Sequence, residues 1–133
     1  MPVVFNDNSA KVLEELESRK RACLEACGNN AVSYAKKTVV ANRQSHSGNL
    51  VNGISHQVQG DSVDVGTNTR YAIYHEMGTG IYISGGRKTP WAYKDAEGEW
   101  HWTRGVPPLH MIKNAVAGHV NTFKRIILEI LNK

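Results

Sequence analysis

Cysteine is scarce in this chain. Its two residues, Cys23 and Cys27, stand four apart in a helical pattern, so they share one face and are not placed at the ends of a useful cross-link. That excludes a disulfide-stapled scaffold and fits a reduced cytoplasmic compartment. No second Cys or His pair follows at finger spacing, and the two thiols read as small buried apolar side chains. Long apolar runs are missing too. Nothing approaches the roughly 20 residues that span a bilayer, and Met1-Pro2-Val3-Val4-Phe5 is too short for a signal peptide. The chain therefore reads as made and kept inside a cell, or in a particle assembled there, with no membrane partner.

Catalytic constellations are also lacking. His75-Glu76 invites a metalloprotease reading, but Thr79 stands where the second zinc histidine belongs. Six histidines are scattered at 46, 56, 75, 101, 110 and 119. Residues 80–89 fail as a phosphate loop, because the lysine comes two places late and Pro90 blocks the helix that would have to follow. Ser45 and Ser47 flank His46, yet no Gly-x-Ser-x-Gly elbow occurs. We expect no catalytic residue, no metal and no cofactor. Charge of one sign is equally thin. The net is +4, with 8 basic and 8 acidic side chains over residues 1–77 and 8 against 4 over residues 78–133. No run exceeds Arg19-Lys20-Arg21, so the excess reads as solubility before it reads as a binding field.

What is present fits one domain over residues 1–133, the size at which a single core forms unaided. Asp7 or Ser9 can cap a helix whose apolar residues recur at Val12, Leu13, Leu16, Cys23, Leu24, Cys27, Ala31, Val32, Ala35 and Val39. Unbroken for about 30 residues it would reach roughly 45 Å, longer than the about 36 Å breadth of a compact domain of this size. It must kink at Gly28-Asn29-Asn30 or project, and a projecting amphipathic end needs a neighbour. Residues 42–49 form a polar connector. Residues 50–59 and 62–66 read as a hairpin turning at Gly60-Asp61.

Residues 91–93 and 100–102 read as a second hairpin, in which Trp91 and Tyr93 share a face, as do Trp100 and Trp102, so that cross-strand aromatic pairs pin the register. Pro107-Pro108 opens a last helix with an unbroken stripe of Leu109, Ile112, Val116, Val120, Phe123, Ile127 and Ile130. At the centre lies Tyr71-Ala72-Ile73-Tyr74-His75-Glu76-Met77-Gly78-Thr79-Gly80. Tyr71, Tyr74 and His75 share one helical face, Gly78 ends the turn, and the following loop, with Ile81, Tyr82, Arg87 and Lys88, is expected to be mobile in the free protein.

Two phrases carry a resemblance. Ser47-Gly48-Asn49-Leu50-Val51-Asn52-Gly53-Ile54 matches Ser/Thr-Gly-x-Leu-x-x-x-Ile, and Tyr71 to Thr79 matches Tyr-Ala-x-Tyr-x-Glu-x-Gly-Thr, with a proline step at Val106-Pro107-Pro108-Leu109. In these residues (Ser47, Gly48, Leu50, Ile54, Tyr71, Ala72, Tyr74, Glu76, Gly78, Thr79 and Pro108) the chain resembles the neck or tail-completion proteins of long-tailed bacteriophages, the gene-product-ten-like tail-component family. The resemblance runs from Ser47 to the C-terminus, with the N-terminal helix agreeing only in type. It implies an α+β fold in which a long N-terminal helix and a C-terminal helix pack a small, mainly antiparallel sheet. It also implies a structural, non-enzymatic virion protein at the head–tail junction, assembled in the host cytoplasm as a sixfold ring. Its partners would be further copies of itself, head connector and tail tube proteins, and passing DNA read without sequence specificity. The chain departs from the pattern at Leu109-His110-Met111, where Pro-Phe and an Arg are usual, and in its fuller Trp-rich hairpin.

For the ring that the resemblance implies, the loop and the aromatic hairpin offer subunit-contact candidates in Ile81, Tyr82, Arg87, Lys88, Trp91, Trp100 and Trp102. A second reading makes the Trp-rich hairpin and the basic later half a nucleic-acid-binding module, with bases stacking on the aromatics. Asp95, Glu97 and Glu99 at the same tip oppose phosphate.

Overall fold

The computed structural model describes residues 3–4, 6–41, 49–69, 72–95 and 97–133. With no proline between residues 9 and 41, the apolar three-four repeat runs as one helix, α1 (Ser9–Ala41), of 33 residues, about 50 Å long. The helix begins at Ser9, and Asp7 supplies the oxygen that meets its free N–H at 2.9 Å. The Ser9 hydroxyl and N–H together hold the Asp7 carboxyl below its ordinary value. There is no interruption at Gly28-Asn29-Asn30, so it is the projecting end that resolves the length problem: residues 9–18 are all exposed.

A short helix, α2 (Asn49–Gly53), precedes an antiparallel hairpin of β1 (Ile54–Gln59) and β2 (Ser62–Thr67), with Gln59 opposite Ser62 across Gly60-Asp61. The expectation of strand from residue 50 is corrected here. Leu50 and Ile54 lie at helical spacing and are both fully buried, so turning the chain once puts both in the core, which an extended path would also do only at the expense of Val51.

The hairpin crosses α1 at Gly28. A methyl added there would lie 2.5 Å from His56 Cδ2 and 2.9 Å from Val63 Cγ2, and His56 is itself held by Glu25 of α1 at 2.7 Å. The mid-helix glycine, unfavourable by about 1 kcal/mol relative to alanine, is what lets sheet and helix touch. Gly28→Ala is therefore expected to lose about 1–2 kcal/mol in urea unfolding, overpacking outweighing the helix gain; a stabilised variant would overturn this.

Next come α3 (Ala72–Met77), a 3₁₀ turn (Gly80–Tyr82), the hairpin β3 (Trp91–Lys94) and β4 (Trp100–Thr103), then α4 (Met111–Ala117) and α5 (Val120–Leu131). The fold is α+β, and among the described residues its sheet content is two separate two-stranded antiparallel pieces. The core gathers Ala35 and Val39 of α1, Leu50, Ile54, Ala72, Met111 and Ala115, with Val32, Tyr34, Val51, Leu109 and Ile112 around it.

The C-terminal stripe is not continuous. The proline step is not helical, α4 starts only at Met111, and the helix breaks at Gly118-His119. His119 fixes the break: its ring stacks on Tyr34 at 3.6 Å, and Nδ1 sits 3.3 and 3.2 Å from the carbonyl oxygens of Asn114 and Ala115, a side-chain bond that competes with helix continuation. Beyond it α5 lies along α1, where the thiols of Cys23 and Cys27 face the carbonyls of Ile127 and Phe123 at 4.0 and 3.9 Å. Burial, and secondarily the Cys23 thiol, push the Cys27 thiol up. No residue of α5 is fully buried, and Val116, Val120, Ile127 and Leu128 are exposed. No helix among the described residues is long and apolar enough to cross a membrane.

Candidate assembly site

The central phrase folds into a clasp. α3 ends where Gly78, at φ 85°, donates to the Tyr74 carbonyl at 2.9 Å. The carbonyls of His75 and Glu76 then accept from the N–H groups of Leu109 and His110, at 2.7 and 3.2 Å. The Glu76 carboxylate reaches across to α4 and accepts the N–H of Ile112 at 2.8 Å and of Lys113 at 3.0 Å. Those are two of the donors that the first turn of a helix leaves without an intrahelical acceptor. His110, the residue in the N-cap position, is left-handed (φ 49°) and makes no side-chain cap. Glu76 does that work from another helix.

Thr79 locks the same two segments together. Its N–H donates to the Val106 carbonyl at 2.9 Å, and its hydroxyl accepts the Val106 N–H at 2.8 Å. Ile81 donates to the Arg104 carbonyl at 3.0 Å. The approach is close enough that a methyl on Gly80 would fall on the Arg104 carbonyl oxygen, and one on Gly105 on the Thr79 carbonyl oxygen. A methyl on Gly78 would lie 3.0 Å from the ring of Pro108.

Among the motif residues, then, Leu50, Ile54 and Ala72 sit in the core, and Glu76, Gly78, Thr79 and Pro108 meet in the clasp. Tyr74 points outward and is exposed. Ser47, Gly48 and Tyr71 lie outside the described residues, as does most of the connector over residues 42–49. Sequence reasoning placed Gly80 and Val106 in its two phrases but missed Gly105 and the pairing of Val106 with Thr79. A Gly on each side of a shared polar phrase was the available signal.

The contact candidates fall on two surfaces. Ile81 and Tyr82 are exposed on the 3₁₀ turn. Lys88 Nζ donates to the Ile83 carbonyl at 3.4 Å, and the Arg87 guanidinium lies over the half-buried Trp91 ring at 5.4 Å, a cation–π contact. In the hairpin, Trp91 is opposite Thr103, Ala92 opposite Trp102, Tyr93 opposite His101 and Lys94 opposite Trp100. This register corrects the expected aromatic pairing. Trp91 and Tyr93 share their face with His101, whose ring lies 5.4 Å from that of Tyr93, while Trp100 and Trp102 occupy the other face beside Ala92 and Lys94. Trp100 and Trp102 are 69 % and 76 % exposed.

The turn of this hairpin is braced by Asp95. Its Oδ1 accepts the Glu99 N–H at 2.8 Å and its Oδ2 faces His101 Nε2 at 2.6 Å. The His101 bond, and then the Glu99 N–H, hold the Asp95 carboxyl below its ordinary value. Asp95, Glu99 and His101 bring ligand atoms within 4.8 Å of one another, an arrangement these internal bonds account for.

Beside the clasp, α3, α4 and β2 enclose an open apolar cleft of about 570 Å³, lined chiefly by Val65, Ile73, Met77, Met111 and Ile112, with Glu76 and Lys113 as its charged residues. Ile73 and Met77 are 61 % and 57 % exposed. This clasp-and-cleft is a means of holding backbone segments and offering apolar surface.

A family model described as "Bacteriophage HK97-gp10, putative tail-component" matches residues 4–78, from the projecting helix through the end of α3. The chain belongs to that family. No curated protein and no solved structure matches it. As a member of the HK97-gp10-like phage tail components, it contributes the Glu76–Gly78 end of the matched region to a clasp whose other half, residues 104–113, lies beyond it.

Proposed function

We propose that this chain is a structural protein of the phage head–tail junction, a single domain over residues 1–133 that assembles as a sixfold ring and completes the tail or joins it to the head connector. It works by shape, carries out no reaction, and resides in the virion after assembly in the host cytoplasm. Family membership supports the tail. The observation that carries the ring is surface. Residues 9–18 of the 33-residue helix α1 are all exposed, so this stretch packs on little of its own domain. Much of what is left uncovered is apolar: Val12, Leu13 and Leu16 on the projecting end of α1, and Ile73, Met77, Trp100 and Trp102. A head-to-tail ring needs two unlike patches per subunit, and these surfaces differ.

Native mass spectrometry and sedimentation of the purified chain at moderate salt are expected to give one discrete hexamer. A monomer at all concentrations up to the millimolar range would overturn the ring. The nucleic-acid reading draws on the exposed tryptophans near Lys94 and Arg104; it requires DNA affinity that falls by several counterions' worth of slope with salt.

A further inference from the structure

Resting on the ring reading above, we propose which surfaces meet in it: the Trp100/Trp102 face of the β3–β4 hairpin of one copy seats in the cleft beside α3 and α4 of the next. The two surfaces match in chemistry and in charge. The hairpin presents two indoles to solvent on a two-stranded ribbon, an element that is marginal alone in water, so a partner that covers this face also stabilises the ribbon. Tryptophan anchors in apolar pockets are where binding energy concentrates. The cleft, at about 570 Å³, lies in the range that encloses apolar groups of that size, and its exposed Ile73 and Met77 supply adaptable apolar walls.

Charge then sets the orientation. Residues 94–99 carry Lys94, Asp95, Glu97 and Glu99, a net of −2 (one positive, three negative). The lining of the cleft carries one lysine, Lys113, and one carboxylate, Glu76, whose oxygens already accept the N–H groups of Ile112 and Lys113. Among the described residues neither Lys113 nor Glu97 forms an ion pair. An acidic tip above a tryptophan face, meeting an apolar cleft with a lysine in its lining, steers one approach and disfavours its reverse. Because plug and socket are different patches, each copy uses one of each, and the contact propagates until the rotation closes.

The test uses two variants at exposed positions, W100A/W102A for the plug and I73K/M77K for the socket, with circular dichroism to verify the fold. Native mass spectrometry is expected to show the wild type as a ring and each variant alone as a monomer, with at least a tenfold weaker self-association. Mixed in equal amounts, the two variants retain one intact plug and one intact socket between them, and are expected to form a 1:1 dimer and nothing larger. Rings formed by W100A/W102A would overturn the proposal and leave the ring reading standing. So would a mixture that remains monomeric, or variants that form rings but no longer join other tail proteins, since the hairpin would then face a different partner. A wild type that never assembles would remove the ring reading and this proposal together.

Discussion

Gly80→Ala is expected to destabilise the chain by about 4 kcal/mol or more, while Gly85→Ala, in the same loop, costs about 1 kcal/mol. The two glycines have similar left-handed conformations, φ 63° and φ 77°, so each substitution incurs the strain that an L side chain meets there. They differ in what a methyl would touch. Among the described residues, a methyl on Gly85 would meet nothing within 4 Å beyond its chain neighbours, whereas one on Gly80 would land on the backbone carbonyl of Arg104. Backbone does not swing aside as a side-chain tip does. Relief requires separating residues 79–81 from residues 104–106, and that breaks the Thr79–Val106 and Ile81–Arg104 backbone bonds, with the Val106–Thr79 hydroxyl bond following. Each such bond contributes about 1 kcal/mol net, and strain at φ adds to their sum. Urea denaturation of the two variants beside wild type checks this; equal losses would mean that strain at φ alone matters and that the two segments can part freely.

The elements of the fold with strong periodicity were legible from residues alone. The repeat through Val39 called for α1, and Gly60-Asp61 and Gly98 marked both hairpins. The break in the C-terminal helix was not legible, because a stripe from Leu109 to Ile130 looks continuous whether or not the chain turns at His119. What decides it is the stacking of His119 on Tyr34, a contact 85 positions apart in sequence (119 − 34). The aromatic hairpin shows the same limit at shorter range. Which residues are aromatic is plain, but a two-residue period leaves the register open, and the structure's register puts Trp100 and Trp102 on the face away from Trp91. At the candidate site, the phrase Tyr71 to Gly80 stood out by composition, and the purpose of its carboxylate did not. A glutamate on a short helix signals nothing about a second helix 35 residues on, since the capping rules that can be read from sequence are local.

That carboxylate is the basis of the remaining prediction. Glu76→Ala is expected to lose about 3 kcal/mol, roughly 10 °C in Tm for a chain of this length, and Glu76→Gln about half as much. The alanine variant leaves the N–H groups of Ile112 and Lys113 with no side-chain acceptor, and His110, whose own side chain makes no cap, cannot substitute. Loss of a single capping oxygen costs about 1 kcal/mol, and hydrogen bonds to a charged group cost more to lose than neutral ones. Glutamine keeps one oxygen for one donor and turns its NH₂ towards the other, so half of the interaction survives. The damage should be local before it is global. α4 carries Met111 and Ala115 into the core, so fraying of its first turn loosens the packing of Leu50 and Val39 as well. Amide hydrogen exchange separates this account from a general loss of stability: Ile112 and Lys113 should lose protection in Glu76→Ala by a larger factor than amides in the middle of α1. A uniform loss across both helices, or a variant within about 0.5 kcal/mol of wild type, would mean that the carboxylate is not what holds α4 in place.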